Sequence, residues 1–106
     1  MIRGTTPTFT LTLRDEEVDL TQAQNVYVTF TQSSQEYEPA SITKSGDDLT
    51  VEAKKIHVYI SQEESLKFKE GLLDIQANWT YEDGKRACSE IKRICVKQNL
   101  LGEILQ

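Results

Sequence analysis

Apolar and polar residues alternate along most of this chain with a period of two. Phe9, Leu11 and Leu13 alternate with Thr8, Thr10 and Thr12, and Val26, Val28 and Phe30 with Tyr27, Thr29 and Thr31. Leu49 and Val51 flank Thr50, and Ile56, Val58 and Ile60 alternate with His57 and Tyr59. The longest run places Leu73, Ile75, Ala77, Trp79 and Tyr81 between Asp74, Gln76, Asn78 and Thr80. A period of two with one apolar face predicts half-buried antiparallel strands. The β-branched and aromatic content of these runs agrees.

Turn signals separate the runs. Gly46-Asp47-Asp48 precedes the Leu49 strand, and Asp83-Gly84 follows the Tyr81 strand as a hairpin turn. Residues 37–43 alternate poorly and contain Pro39, which predicts an edge strand because proline lacks a ladder donor. Ser61-Gln62-Glu63-Glu64 spells a capping box, so one short helical turn is expected there, with Leu66 and Phe68 plugging the end of the core. In the last strand Ala87 and Ile91 share one phase while Ile94 and Val96 share the other. A one-residue slip would flip every side chain, so a bulge near Lys92-Arg93 is expected, leaving Cys88 and Cys95 on the polar face.

About seven short strands with one helical turn predict an all-β fold, an immunoglobulin-like antiparallel sandwich, with a small barrel as the alternative. The expected division is a sandwich domain over residues 1–98 and an apolar tail over residues 99–106. One domain is what 106 residues allow. No apolar run approaches the roughly 18 residues that would span a bilayer, so no membrane insertion is expected. The N-terminal residues lack the apolar core of a signal peptide, so, unless a leader was removed, the protein is expected to be made and used inside a cell. A net charge of −5 with dispersed basic residues argues against nucleic acid as a partner.

Candidate chemistry is sparse. His57 is the one histidine, and its parity turns it outward from its strand. The cysteines, if on one extended strand, stand roughly 20 Å apart, beyond disulfide reach, and are expected as free thiols. A lone histidine and two distant thiols do not supply a zinc site, and no glycine-rich phosphate loop occurs. Asp47-Asp48 is read as turn chemistry. No catalytic, cofactor-binding or metal-binding residue is therefore expected. Trp79 shares parity with Leu73, Ile75 and Ala77 and is read as core. Tyr27, His57 and Tyr59 share outward parity and would form an exposed aromatic patch if their strands were neighbours.

The tail carries the sharper signal. Leu100, Leu101, Ile104 and Leu105 follow the i, i+1, i+4, i+5 pattern of a short amphipathic helix, which Gly102 weakens. Such a tail folds back over an open end of the core, docks on a second subunit, or is a disordered end.

The opening Met1-Ile2-Arg3-Gly4-Thr5-Thr6-Pro7-Thr8, the strand Val26-Tyr27-Val28-Thr29-Phe30-Thr31-Gln32 and the turn Ile60-Ser61-Gln62-Glu63-Glu64-Ser65-Leu66-Lys67-Phe68 have a familiar look. So do Asp74-Ile75-Gln76-Ala77-Asn78-Trp79-Thr80, the Asp83-Gly84 hairpin and Ser89-Glu90-Ile91 before a leucine-rich end. Together they resemble short phage and prophage structural proteins of Gram-positive bacteria, in particular the immunoglobulin-like N-terminal domain of the phage baseplate upper protein family. The resemblance covers nearly the whole chain, with residues 37–55 fitting least. It implies a non-enzymatic tail or baseplate protein that contacts other phage structural proteins or itself. Its place would be the virion, or the host cytoplasm before assembly. The expected assembly contacts are Leu100, Leu101, Ile104 and Leu105. A ligand-binding module for a surface glycan or peptide is the alternative, and it would use the aromatic patch.

Overall fold

The computed structural model describes residues 1–32, 40–102, 104 and 105. Among the described residues eight strands and one short α-helix follow in chain order: β1 (Thr8–Thr12), β2 (Asn25–Gln32), β3 (Ala40–Ser45), β4 (Leu49–Val51), β5 (Lys55–Tyr59), α1 (Gln62–Leu66), β6 (Gly71–Thr80), β7 (Arg86–Cys88) and β8 (Lys92–Val96). They form two antiparallel sheets. The smaller has the order β1-β5-β4, and the larger has the order β3-β2-β6-β7 with β8 also on β6. β7 and β8 lie end to end along the same side of β6, opposite residues 78–80 and 71–75, while β2 takes its other side. Eight segments thus fill seven strand positions.

The fold is the expected all-β sandwich, because both sheets turn their alternating apolar residues into one core. Leu11, Ile56 and Val58 come from the smaller sheet, and Val28, Phe30, Leu73, Ile75, Ala77 and Trp79 from the larger. Phe9 and Phe30 meet across the layers with ring centroids 5.7 Å apart. In a constant-type immunoglobulin domain the second strand lies between the first and fifth. Here it lies between the third and sixth, so the layering is immunoglobulin-like with its own strand order. Trp79 is 2% exposed, as its parity requires, and its indole N–H donates to the Tyr81 hydroxyl at 3.0 Å. Among the described residues no helix is long and apolar enough to cross a membrane.

β3 is an edge strand, as expected for residues 40–43. Residues 37–39 of that expected strand, Pro39 included, lie outside the described residues. The Asp83-Gly84 turn closes the β6–β7 hairpin, with Gly84 at φ +85° and the Tyr81 N–H donating to the Lys85 carbonyl at 2.9 Å.

The bulge exists but sits earlier than expected. Paired residue numbers on β6 and β7 sum to 166, and on β6 and β8 to 167. The extra residue therefore falls within residues 89–91, opposite Gln76 and Ala77, and not at Lys92-Arg93. Ser89 explains the position. Its N–H donates to the Ala77 carbonyl and its hydroxyl accepts from the Ala77 N–H, both at 2.9 Å, so it holds the ladder just before the break. Ile91, expected in phase with Ala87, is instead thrown outward and is 61% exposed. The phase change does leave Cys88 and Cys95 exposed and free.

Among the described residues three polar side chains are buried, Ser65 on α1 and, in the larger sheet, Gln32 and Lys44. Gln32 continues the inward parity of Val28 and Phe30, and its amide exchanges two 2.7 Å bonds with the backbone N–H and carbonyl of Lys69. Lys44, inward on β3, reaches both carboxylate oxygens of Glu64 at 2.6 and 2.8 Å. Buried polar groups persist only when bonded in this way, and these two bonds tie the larger sheet to the segment around α1.

Candidate functional site

The two chain ends and α1 gather at one end of the sandwich. The helix starts as the sequence dictates: the Ser61 hydroxyl accepts from the Glu64 N–H at 3.2 Å, and Glu64 accepts from the Ser61 N–H at 3.0 Å. Glu64 thus serves the cap and Lys44 together. Burial would raise its pKa, but the Lys44 ammonium and the Ser61 N–H outweigh this and hold it below the ordinary glutamate range.

The N-terminal segment closes the other end of the helix. The Arg3 guanidinium donates to the carbonyls of Phe68 at 2.5 Å and Leu66 at 2.9 Å, supplying partners to carbonyls that a helix end leaves open. The Ser65 hydroxyl donates to the Thr5 carbonyl at 2.8 Å, and the Ile60 N–H to the Pro7 carbonyl at 2.9 Å. Gly4 sits at φ +79°, with Leu66 beside the position a Cβ would take. Residues 1–3 then run parallel to β8. The N-terminal ammonium donates to the Cys95 carbonyl, the Lys97 N–H to Met1 and the Arg3 N–H to Lys97. The stretches 3–8 and 61–68, far apart in sequence, therefore pack as one unit.

The tail leaves from this unit. The Asn99 amide donates to the Arg3 carbonyl at 2.9 Å, and its oxygen accepts from the Leu101 N–H at 3.1 Å. Further on, the Gln62 side chain accepts from the Leu105 N–H at 2.8 Å and donates to the Leu105 carbonyl at 2.9 Å. The expected amphipathic helix is absent: none of the described residues 99–102, 104 and 105 is helical. Gly102 offers no helix propensity, and Gln62 and Asn99 bond tail backbone groups that a helix would use internally. The tail also does not cover the core. Leu100 is 96% exposed, Leu101 47%, Ile104 50% and Leu105 58%. Arg3, Gln62 and Asn99 are the residues that sequence reasoning missed here. The partners that set their places, Phe68 for Arg3, Leu105 for Gln62 and Arg3 for Asn99, lie 43 to 96 residues away, beyond any local pattern.

The aromatic patch is not one surface. Tyr27 lies on β2 in the larger sheet, whereas His57 and Tyr59 lie on β5 in the smaller. The outer faces of a sandwich point in opposite directions, so equal parity put these residues outside without putting them together.

His57 has partners that the sequence did not announce. Its Nδ1 lies 2.9 Å from Thr10 Oγ1, directly opposite on β1, and its Nε2 lies 2.6 Å from Glu52. The bond to His57 holds the Glu52 carboxyl below its ordinary range. Hydroxyl, imidazole and carboxylate in a row is the order of a catalytic triad. However, a reacting carbonyl above Thr10 would need two N–H donors aimed at it, and ladder N–H groups lie in the plane of the sheet. The row ties β1, β5 and the β4–β5 turn across an open face. No group of three or more potential metal ligands occurs among the described residues. Neither a known protein-family model nor any curated protein sequence matches the chain.

Proposed function

We propose that this chain is a non-enzymatic assembly part that works by protein–protein contact, and that Leu100, Leu101, Ile104 and Leu105 make the contact. The carrying observation is their exposure. Leu100 is 96% exposed and Leu101, Ile104 and Leu105 about half exposed, on a segment whose described hydrogen bonds run through backbone groups and Asn99. Burying a side chain of this size yields about 1.5–3 kcal/mol, and a contiguous apolar surface left exposed marks an interaction site. The sandwich and the packed chain ends supply a rigid base for it.

The resemblance to phage baseplate proteins supplies the setting: a phage or prophage tail or baseplate part, in the virion or in the host cytoplasm before assembly. Its two most distinctive stretches, residues 3–8 and 61–68, form the unit from which the tail leaves, which supports reading unit and tail as one device. The glycan-binding alternative loses its surface with the separation of Tyr27 from His57 and Tyr59.

Ending the chain after Gln98 tests the proposal. The shortened protein is expected to keep its β-type circular dichroism and its unfolding midpoint within a few degrees, and to lose self-association in light scattering. Unfolding would make the tail part of the core, and unchanged association would place the contact elsewhere.

A further inference from the structure

A groove of about 750 Å³ runs along the side of the sandwich opposite β3 and β4, between β1 and the bulged β7–β8 edge. Leu11, Leu13, Val18 and Trp79 line its interior, and Cys88 and Ile91 stand on its bulged wall. Both walls are strand edges. Pro7 and Leu13 bond across to Ile60 and Lys54, so the odd residues of β1 face β5. The backbone N–H and carbonyl groups of Thr8, Thr10 and Thr12 therefore point away from β5, and no described strand pairs with them. On β8 the odd residues point outward, as Cys95 and Lys97 do toward residues 1–3, and Arg93 lies beyond that cover. A lining that mixes apolar residues with Arg14, Asp15, Glu90 and Lys92, beside the free backbone row of β1, fits an extended polypeptide with apolar residues on its inner face. Neither a nucleic acid nor a small molecule offers that pattern.

We propose that the groove receives the C-terminal segment, residues 100–105, of a second copy of this chain, added as a strand on β1. This rests on the assembly reading above and names its partner. Three features select the occupant. Leu100, Leu101, Ile104 and Leu105 are exposed and the described residues of the segment are non-helical, so it has side chains to bury and, beyond the groups bonded to Asn99 and Gln62, backbone groups to pair. At about 3.3 Å per residue its six residues extend over about 20 Å, enough to follow β1 along its length of five residues. Within one copy, tail and groove are held apart. β8 runs from the groove toward the tail, Asn99 and Leu105 are fastened to Arg3 and Gln62, and residues 1–3 cover the β8 edge between them. Each copy thus carries one donor and one acceptor on different surfaces. Such a contact can be reciprocated between two copies or repeat from copy to copy.

Two variants of the full chain test this. Thr12→Pro removes an N–H that faces the groove and leaves the β1–β5 ladder bonds in place. It is expected to weaken self-association at least tenfold in sedimentation equilibrium without changing the circular dichroism. The second, Leu101→Cys in a Cys95→Ser background, uses Cys88 on the groove wall as a reporter. With diamide as the two-electron oxidant, a thiol from one tail and Cys88 of the next copy are expected to join. Non-reducing gels then show a covalent dimer, with higher species where the contact repeats from copy to copy, and Cys88→Ser abolishes them all. A product that stops at dimer and survives Cys88→Ser means tail-to-tail pairing and overturns the groove. So does a disulfide formed only within one chain, or no covalent product. If Thr12→Pro associates normally while the chain shortened after Gln98 does not, the groove fails and the tail contact stands. If the shortened chain associates as before, the tail contact itself fails.

Discussion

Lys44 and Glu64 offer a quantitative test of how the sandwich holds the functional end in place. Their side chains are 11% and 21% exposed, with both carboxylate oxygens within 2.8 Å of Nζ. Removing one member of a buried pair costs about 3–5 kcal/mol, because the other charge is left without its partner. The two members are not equivalent. Glu64→Gln leaves the more buried Lys44 ammonium unpaired, and about 3 kcal/mol of destabilisation is expected. Lys44→Met leaves a carboxylate that keeps the Ser61 N–H and more water, so about 1–2 kcal/mol is expected, below the fully buried range. The double variant Lys44→Met/Glu64→Gln buries no unpaired charge and should lie near the milder single variant, giving a coupling of about 2–3 kcal/mol. Urea unfolding of the four proteins at pH 7 measures this. Acid adds an independent check. The Glu64 pKa is lowered in the folded state, so its contribution is fully present above the unfolded pKa of about 4.3 and fades as pH falls through the folded value. The Glu64→Gln protein should lack that part of the acid dependence. Additive single effects, or losses below about 0.5 kcal/mol, would refute the reasoning, since that is the range of an exposed pair.

Further outcomes follow from the same geometry. Gly4→Ala should lose about 1–2 kcal/mol in urea unfolding, the cost of a Cβ in the left-handed region, because the new atom's 3.4 Å approach to Leu66 is an ordinary contact. Trp79→Ala should lose about 3–5 kcal/mol, the range for a large aromatic removed from a core, and an unchanged melt would deny Trp79 its place there. In NMR titrations His57→Ala should return the Glu52 carboxyl upward to the ordinary glutamate range, and Arg93→Gln should do the same for Asp74, whose carboxylate is bonded to Arg93. Carboxyl resonances that titrate alike in parent and variant would deny both bonds.

The sequence carried the layers of this fold because a period of two reports which side of a strand is buried. The alternation from Leu73 to Trp79 became β6, the capping box became the start of α1, and Asp83-Gly84 became the hairpin. The same signal says nothing about which sheet a strand joins, so Tyr27 was grouped with His57 and Tyr59 although their strands lie in opposite layers. Parity also placed the bulge only within a few residues. What fixed it was the pairing of Ser89 with Ala77, a partner twelve residues earlier. Lys44 and Gln32 had inward parity but polar chemistry, and their burial depends on Glu64 and Lys69, which come from other elements. The tail was legible as apolar but read as helical, because the bonds that hold it come from Gln62 and Asn99 and not from its own pattern.

The central claim is that the apolar tail is a contact surface. Sedimentation equilibrium of the full chain beside Leu100→Ser/Leu101→Ser/Ile104→Ser/Leu105→Ser tests it most directly. The parent is expected to show a mass that rises with concentration above that of one chain, and the variant to remain a monomer with an unchanged melting curve. A parent that stays monomeric at every concentration, or a variant that associates as the parent does, would contradict it.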